Sequence, residues 1–191
     1  MNIFFLSWDV VECAHMYCDQ HVVKILLEIV QMLYTAWWTT GGDAWNETAP
    51  FKKNSGQRGY LPVSNPKHGM VLWVRASKEN YMWTALMGIS LSIEFNKRFG
   101  KIHGCTEHAL WLYQNPPTWF RDDRNEKAFY ATVGFPSRLT PPPEAMPDQY
   151  KDTDIIKAYM NYYKGDKLSW ARWSNPSCVP RVFVKDYLGR I

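Results

Sequence analysis

Asp19-Gln20-His21-Val22-Val23-Lys24-Ile25-Leu26-Leu27-Glu28-Ile29-Val30-Gln31-Met32-Leu33-Tyr34-Thr35 is the run that decides the fold. Its aliphatic and aromatic residues make a helix apolar on nearly every side, which is the pattern of a core helix. His21, Lys24, Glu28, Gln31 and Thr35 break the pattern together. Spaced 3, 4, 3 and 4 apart, they share one stripe within about 80° of the helical wheel. A base, an ammonium and a carboxylate so aligned in an apolar setting are costly if unpaired. Either Lys24 and Glu28 pair at i,i+4 and Gln31 takes what remains, or the stripe lines a functional cleft.

Working outward, Met1 to Ser7 reads as a short buried strand or extended entry. Asp9 can cap a brief helix through His15, and the long helix runs to about Thr40, where Gly41-Gly42 ends it. Residues 43–65 form a long polar loop with Lys52, Lys53, Gly56 and Arg58, a length more often functional than idle. Asn65-Pro66 predicts the start of a helix carrying Trp73 and Arg75. Ser77 caps another that ends near Phe99, with Gly100 just beyond it and Asn80, Glu94 and Arg98 on one side. Thr106 opens a helix to Tyr113 that Pro116-Pro117 stops, residues 115–150 are proline-rich and irregular, and Thr153 caps a helix through about Tyr163. The prediction is a mainly α, compact single-domain fold with a short N-terminal strand and irregular Pro-rich segments. Residues 1–150 form its helical core, and residues 151–191 a basic helix and tail packed on the same domain.

The 191-residue chain carries ten Trp, eleven Tyr and nine Phe. Most must pack, but so large a surplus leaves rings to stack on bases. Charge is uneven: residues 1–150 hold 14 Lys+Arg against 14 Asp+Glu, and residues 151–191 hold 8 against 4. Lys164, Lys167 and Arg172, interleaved with Tyr162, Tyr163, Trp170 and Trp173, suit a phosphate backbone. Cys13, Cys18, Cys105 and Cys178 make no disulfide framework and fit reduced thiols in a cytoplasmic protein. His103, Cys105 and His108 do not complete a tetrahedral metal set, so no metal site is expected. No basic, apolar leader or membrane span is expected either.

Walker, GxGxxG, GxSxG, HExxH and EF-hand patterns are missing, which leaves nucleotide hydrolysis, dinucleotide redox and common hydrolase chemistry without sequence support. The candidate catalytic residues are Glu28 as central carboxylate, Lys24 as amine or electrostatic partner, and His21 positioning the substrate. Gln20, Gln31, Asn80 and Glu94 are candidate substrate or DNA contacts. Lys67 and His68 could meet phosphate at a helix start or simply face solvent. Arg75 and Arg98 could clamp DNA or pair with Glu79 and Glu94. The stretch Pro141–Tyr150 could cover the cleft or be a surface loop.

Three features resemble the pyrimidine-dimer DNA glycosylases of bacteriophages, the family of the T-even enzyme called endonuclease V. Asp19-Gln20-His21 followed by Glu28 is similar to that family's Asp-Gln-His with a catalytic Glu seven positions after the His. Glu94-Phe95-Asn96-Lys97-Arg98-Phe99-Gly100 looks like its Glu-Cys-x-x-Arg-Gly helix end, and Pro117-Thr118-Trp119-Phe120 resembles its Pro-Thr-Trp-aromatic segment. The resemblance implies a compact all-α protein that bends damaged DNA, flips a nucleotide and cleaves its N-glycosidic bond. The expected substrate is a damaged or modified pyrimidine, with no cofactor, and the expected state a monomer in the cytoplasm, that of the host if the chain is phage-encoded. In that family the terminal α-amine attacks C1′ to give an imine, assisted by the glutamate. This chain departs there: extra residues precede Asp-Gln-His, and Asn2 is bulky enough that Met1 is expected to remain. The nucleophile is then the Met1 amine, Lys24 with a pKa lowered by desolvation, or water activated by Glu28. Two alternatives stay open. One is a phage transferase joining an amino acid or amine to an activated hydroxymethyl pyrimidine in DNA, the other a non-catalytic nucleic-acid-binding accessory protein.

Overall fold

The computed structural model describes residues 2–41, 45–120 and 139–189. Its α-helices in chain order are α1 (Val10–Met16), α2 (Asp19–Ala36), α3 (Trp45–Thr48), α4 (Gly69–Val74), α5 (Lys78–Phe99), α6 (Thr106–Gln114), α7 (Ile155–Tyr162) and α8 (Arg181–Leu188). Among the described residues there is no strand, only an isolated antiparallel bridge between Phe51 and Arg58. The fold is mainly α, as the sequence predicts. Ile3 to Leu6 are buried, but the expected N-terminal strand is an extended entry instead. The Tyr17 hydroxyl explains why no neighbouring strand is needed: it accepts from the Phe4 N–H at 2.8 Å and donates to the Phe4 carbonyl at 2.9 Å. One side chain thus satisfies both backbone groups of a buried residue.

The core forms around α2, whose Val22, Leu26, Ile29, Val30 and Leu33 are fully buried against α5 and its neighbours. Burying each such side chain favours folding by roughly 1.5–3 kcal/mol. At Gly88 the helices approach so closely that a Cβ would stand 3.1 Å from Ile29 Cγ2 and 3.5 Å from Ala109 Cβ. That residue is where α2, α5 and α6 meet. Tyr159 of α7 and Phe183 of α8 are buried in the same cluster.

Helix ends mostly follow their caps. Asp9 accepts from the N–H groups of Val11 and Glu12, and Ser77 from that of Asn80. α4 begins at Gly69 rather than at Pro66, because the His68 imidazole accepts from the Met70 N–H while Asn65 serves a preceding turn. The cap of α7 is Asp154, not Thr153, with its carboxylate accepting from Ile156 and Lys157. α2 turns π-helical over Trp37–Gly41. The Thr35 and Thr39 hydroxyls donate to the carbonyls of Gln31 and Thr35 at 2.7 and 2.8 Å, a back-bonding that distorts helices. Gly42, the second glycine of the predicted stop, lies outside the described residues. No helix among them is long and apolar enough to cross a membrane.

Candidate functional site

The Asp19-Gln20-His21 triplet ties α2 to the C-terminal segment. The Asp19 N–H donates to the Arg172 carbonyl, and its carboxylate accepts from the Ser174 N–H and hydroxyl, each at 2.6 Å. Gln20 donates to the Trp170 carbonyl at 3.4 Å and accepts from the Arg172 N–H at 3.2 Å. These contacts bring Trp170, 44% exposed, edge-on to the His21 ring with centroids 5.1 Å apart. Phe4 stacks on His21 at 4.6 Å and 29°. Burial, with Lys167 and Lys24 nearby, pushes the His21 imidazole down to about 3, so the ring is neutral at cellular pH.

Glu28 lies two turns along the same face. Its side chain is 13% exposed; one oxygen accepts from the Asn2 backbone N–H at 3.1 Å, and the other is 3.6 Å from Lys24 Nζ. A carboxylate has about four acceptor positions, so Glu28 keeps capacity to spare. Asn2 is itself fixed: its side-chain amide donates to the Ala145 carbonyl, and its Oδ1 lies 3.4 Å from the Tyr159 hydroxyl, whose proton goes to the Pro143 carbonyl at 2.7 Å. Lys24 is 71% exposed. So exposed a side chain is not desolvated, and its ammonium stands as the electrostatic partner of Glu28. Met1, the other candidate amine, lies outside the described residues.

The α5 end, with Arg98 and Glu94 closed off, does not form the second wall of this region. That wall comes from the N-terminal entry, the 143–145 segment, and a π-helical turn, Tyr163–Lys167, that follows α7. Such turns recur at functional sites. Here the turn carries Tyr163, whose hydroxyl is 2.8 Å from His21 Nδ1, and Lys167, whose ammonium sits 4.5 Å from the centre of the Tyr162 ring. Tyr162 packs beside Phe4 and Tyr150. Tyr150 presses so closely on the turn that a Cβ on Gly165 would stand 2.6 Å from its ring, which is why glycine belongs there. Tyr163 is wholly buried, as core packing requires.

Arg98, which could clamp DNA or pair with Glu94, does the second: it is 2% exposed and closed off. It donates to Glu94 at 2.7 Å, Asp19 at 3.0 Å, and the carbonyls of Tyr17 and His15. Four of its five N–H donors are therefore committed inside the protein. Glu94, buried with it, pairs with Arg98, His15 and Lys97 and has no open face for DNA. Asn80, completely buried, donates to the Trp73 carbonyl and the Thr140 hydroxyl and accepts from the Thr140 N–H. These three are corrections: each holds the fold and cannot reach a substrate.

The remaining candidates lie farther out. Gln31 is half-buried, and its carbonyl takes the Thr35 hydroxyl, which in turn accepts from the Val63 N–H at 3.0 Å. The far end of the stripe therefore anchors a loop. Lys67 is exposed, His68 spends its Nδ1 on the α4 cap, and Arg75 is the half-buried C-cap of α4. None of the three joins the Glu28 region. Of the basic tail, Lys164 pairs with Asp186 at 3.6 Å and Lys167 with Asp166 at 2.7 Å, while Arg172, Arg181 and Lys185 are exposed. The stretch 140–145 is strapped down, not loose, by Trp73, Asn80, Asn2 and Tyr159. His103 caps the Cys105 N–H and His108 meets Tyr34, so they do not converge with Cys105 on one point. Sequence reading missed Asn2 and the Tyr163–His21 pair, the latter separated by 142 residues with no periodic signal to join them.

With the geometry in hand, comparison of the chain with protein-family models, with curated proteins and with solved structures finds no match.

Proposed function

We propose that this protein is a DNA base-processing enzyme that cleaves the N-glycosidic bond of a flipped, modified or damaged pyrimidine. The observation that carries the reading is Glu28: a mostly buried carboxylate with spare acceptor positions, held by a backbone N–H and paired with an exposed ammonium, on the same helix face as a neutral imidazole that Phe4 and Trp170 enclose two turns away. Bond cleavage at C1′ builds positive charge on the sugar, and a fixed carboxylate stabilises that charge and accepts the proton of an attacking water. The aromatic rings supply faces for a base taken out of its stack. Exposed Arg172, Arg181 and Lys185 supply cations for the phosphate backbone. The motif resemblance to the phage glycosylases adds to this reading on independent grounds.

The test is base release from a panel of duplexes carrying damaged and hypermodified pyrimidines, with borohydride present in parallel reactions. Release without a trapped adduct supports water as the nucleophile, and a trapped adduct replaces it with an amine, which Lys24→Met then identifies or excludes. No base release from any duplex, with no change after Glu28→Gln in any DNA-dependent activity, overturns the enzyme reading and leaves a binding protein.

A further inference from the structure

Tyr163 occupies an unusual position in the hydrogen-bond order around His21. Its hydroxyl accepts from the Cys18 backbone N–H at 2.8 Å and lies 2.8 Å from His21 Nδ1. A phenol has one proton to give. With the amide already pointing at its oxygen, the proton is best placed on Nδ1, a far stronger acceptor than the neighbouring Cys18 sulfur. His21 then carries its own proton on Nε2. Among the described residues Nε2 has no hydrogen-bond partner, yet the buried polar side-chain atoms left unpaired are only Thr106 Oγ1 and His108 Nε2. His21 Nε2 therefore meets solvent.

The ring cannot turn away from that opening. Phe4 covers one face, Trp170 stands edge-on, and Tyr17 and Tyr163 close the remainder at 6.0 and 5.3 Å between centroids. Two ammonium groups are near enough to lower the basicity of the ring: Lys24, which has Glu28 at 3.6 Å, and Lys167, which has Asp166 at 2.7 Å. Lys24 is one turn along α2, and Lys167 arches over Tyr162, which packs on Phe4.

We propose that Tyr163 is a positioning residue that fixes His21 as an Nε2–H donor, and that this N–H, between Lys24 and Lys167, binds a phosphate oxygen and transfers no proton. The inference rests on the DNA-processing reading and deepens it by assigning the strand's phosphate a specific seat on the helix face that carries Glu28. The chemistry is shared by a phosphodiester and by a free phosphate, and the two are separable by experiment. Burial, Lys167 and Lys24 keep the ring neutral; Tyr17 and Tyr163 are the other titratable groups against it, and Glu28 and Asp166 pair with the two lysines.

Long-range proton–nitrogen correlation spectra of the 15N-labelled protein read the tautomer directly. Nδ1 should be the unprotonated nitrogen and Nε2 the protonated one, unchanged from about pH 8 to about pH 5. Tyr163→Phe, which keeps the ring and its packing on Phe183, should release this preference into a mixture of tautomers. A protonated Nδ1 in the unsubstituted protein, or a ring charged at neutral pH, overturns the proposal. Inorganic phosphate and a short oligothymidylate are then titrated separately while the Nε2 signal is followed. Movement with the oligonucleotide assigns a strand phosphate. Movement with inorganic phosphate alone supports the seat but removes this support from the DNA reading. Movement with neither overturns the proposal, and base release in the assay above can still succeed without it. His21→Leu should weaken binding of the active probe by about tenfold to a hundredfold, whereas His21→Gln, which keeps an N–H near Nε2, should recover part of the loss. Equal losses in both variants overturn the donor role.

Discussion

Helix α2 carries two polar clusters, one at its first turn and one more than two turns on, and they are built in opposite ways. Around Asp19 and Arg98 nearly every donor and acceptor is consumed inside the protein, by Glu94, by Ser174 and by the carbonyls of His15 and Tyr17. Around Glu28 the described partners are fewer: a single N–H and an exposed lysine. The first arrangement fixes how the C-terminal segment docks on the helix. The second leaves acceptor positions open on a mostly buried carboxylate. Polarity in an apolar setting thus marks both a structural joint and a candidate site, and only the count of satisfied atoms separates them.

The largest effect that can break this comparison is at the joint. Arg98→Met leaves Asp19 and Glu94 buried without their guanidinium, and the cost should be about 3–5 kcal/mol in denaturant unfolding. Lys24→Met, in the open cluster, removes only an exposed partner and should stay within about 1 kcal/mol. Similar losses for the two variants would erase the distinction.

The pH dependence of stability sharpens it further. His21 has its folded-state pKa depressed to about 3 from 6.5, so in that interval the unfolded chain binds the proton more readily. The stability contributed by the neutral ring is complete above about pH 6.5 and drains away as pH falls towards about 3. His103 and His108, depressed by burial, act with the same sign. Unfolding measured across this window should show a shallower slope for His21→Leu than for the unsubstituted protein. Parallel slopes would mean that His21 is not held neutral by the fold.

A smaller effect tests the wall of the open cluster. Gly165→Ala forces the Tyr150 ring out of its place against the π-helical turn and away from Tyr162, a change of about 1 kcal/mol in stability. In a Tyr150→Ala background the same substitution should cost almost nothing. If the two costs simply add, Tyr150 is not what demands glycine there.

Much of the fold was legible because it rests on local signals. The period of α2, the Asp9 and Ser77 caps and the Gly100 stop all lie within a few residues of what they control. The misplaced starts of α4 and α7 are local too, and show a cap position shifting when a neighbouring side chain, His68 or Asp154, makes the better acceptor. The site was legible only in its first half. His21, Lys24 and Glu28 follow from the stripe, whereas the partners that define their roles are remote in sequence: Asn2, Tyr163, Trp170 and the Ala145 carbonyl that fixes Asn2. Arg98, Glu94 and Asn80 misled for the same reason. Their donors and acceptors are exhausted by groups that no helical period connects to them, among them Asp19 and Thr140.

Glu28→Gln, measured for both stability and base release, tests the distinction between the clusters most directly. The substituted amide can still accept the Asn2 N–H, and the lost pairing is to an exposed lysine, so unfolding free energy should change by no more than about 1 kcal/mol. Base release from the duplex that the unsubstituted protein processes should fall by about 10²–10⁴ while DNA affinity persists. A variant that loses several kcal/mol of stability, or one that releases base at the original rate, would contradict the account and make Glu28 another structural joint.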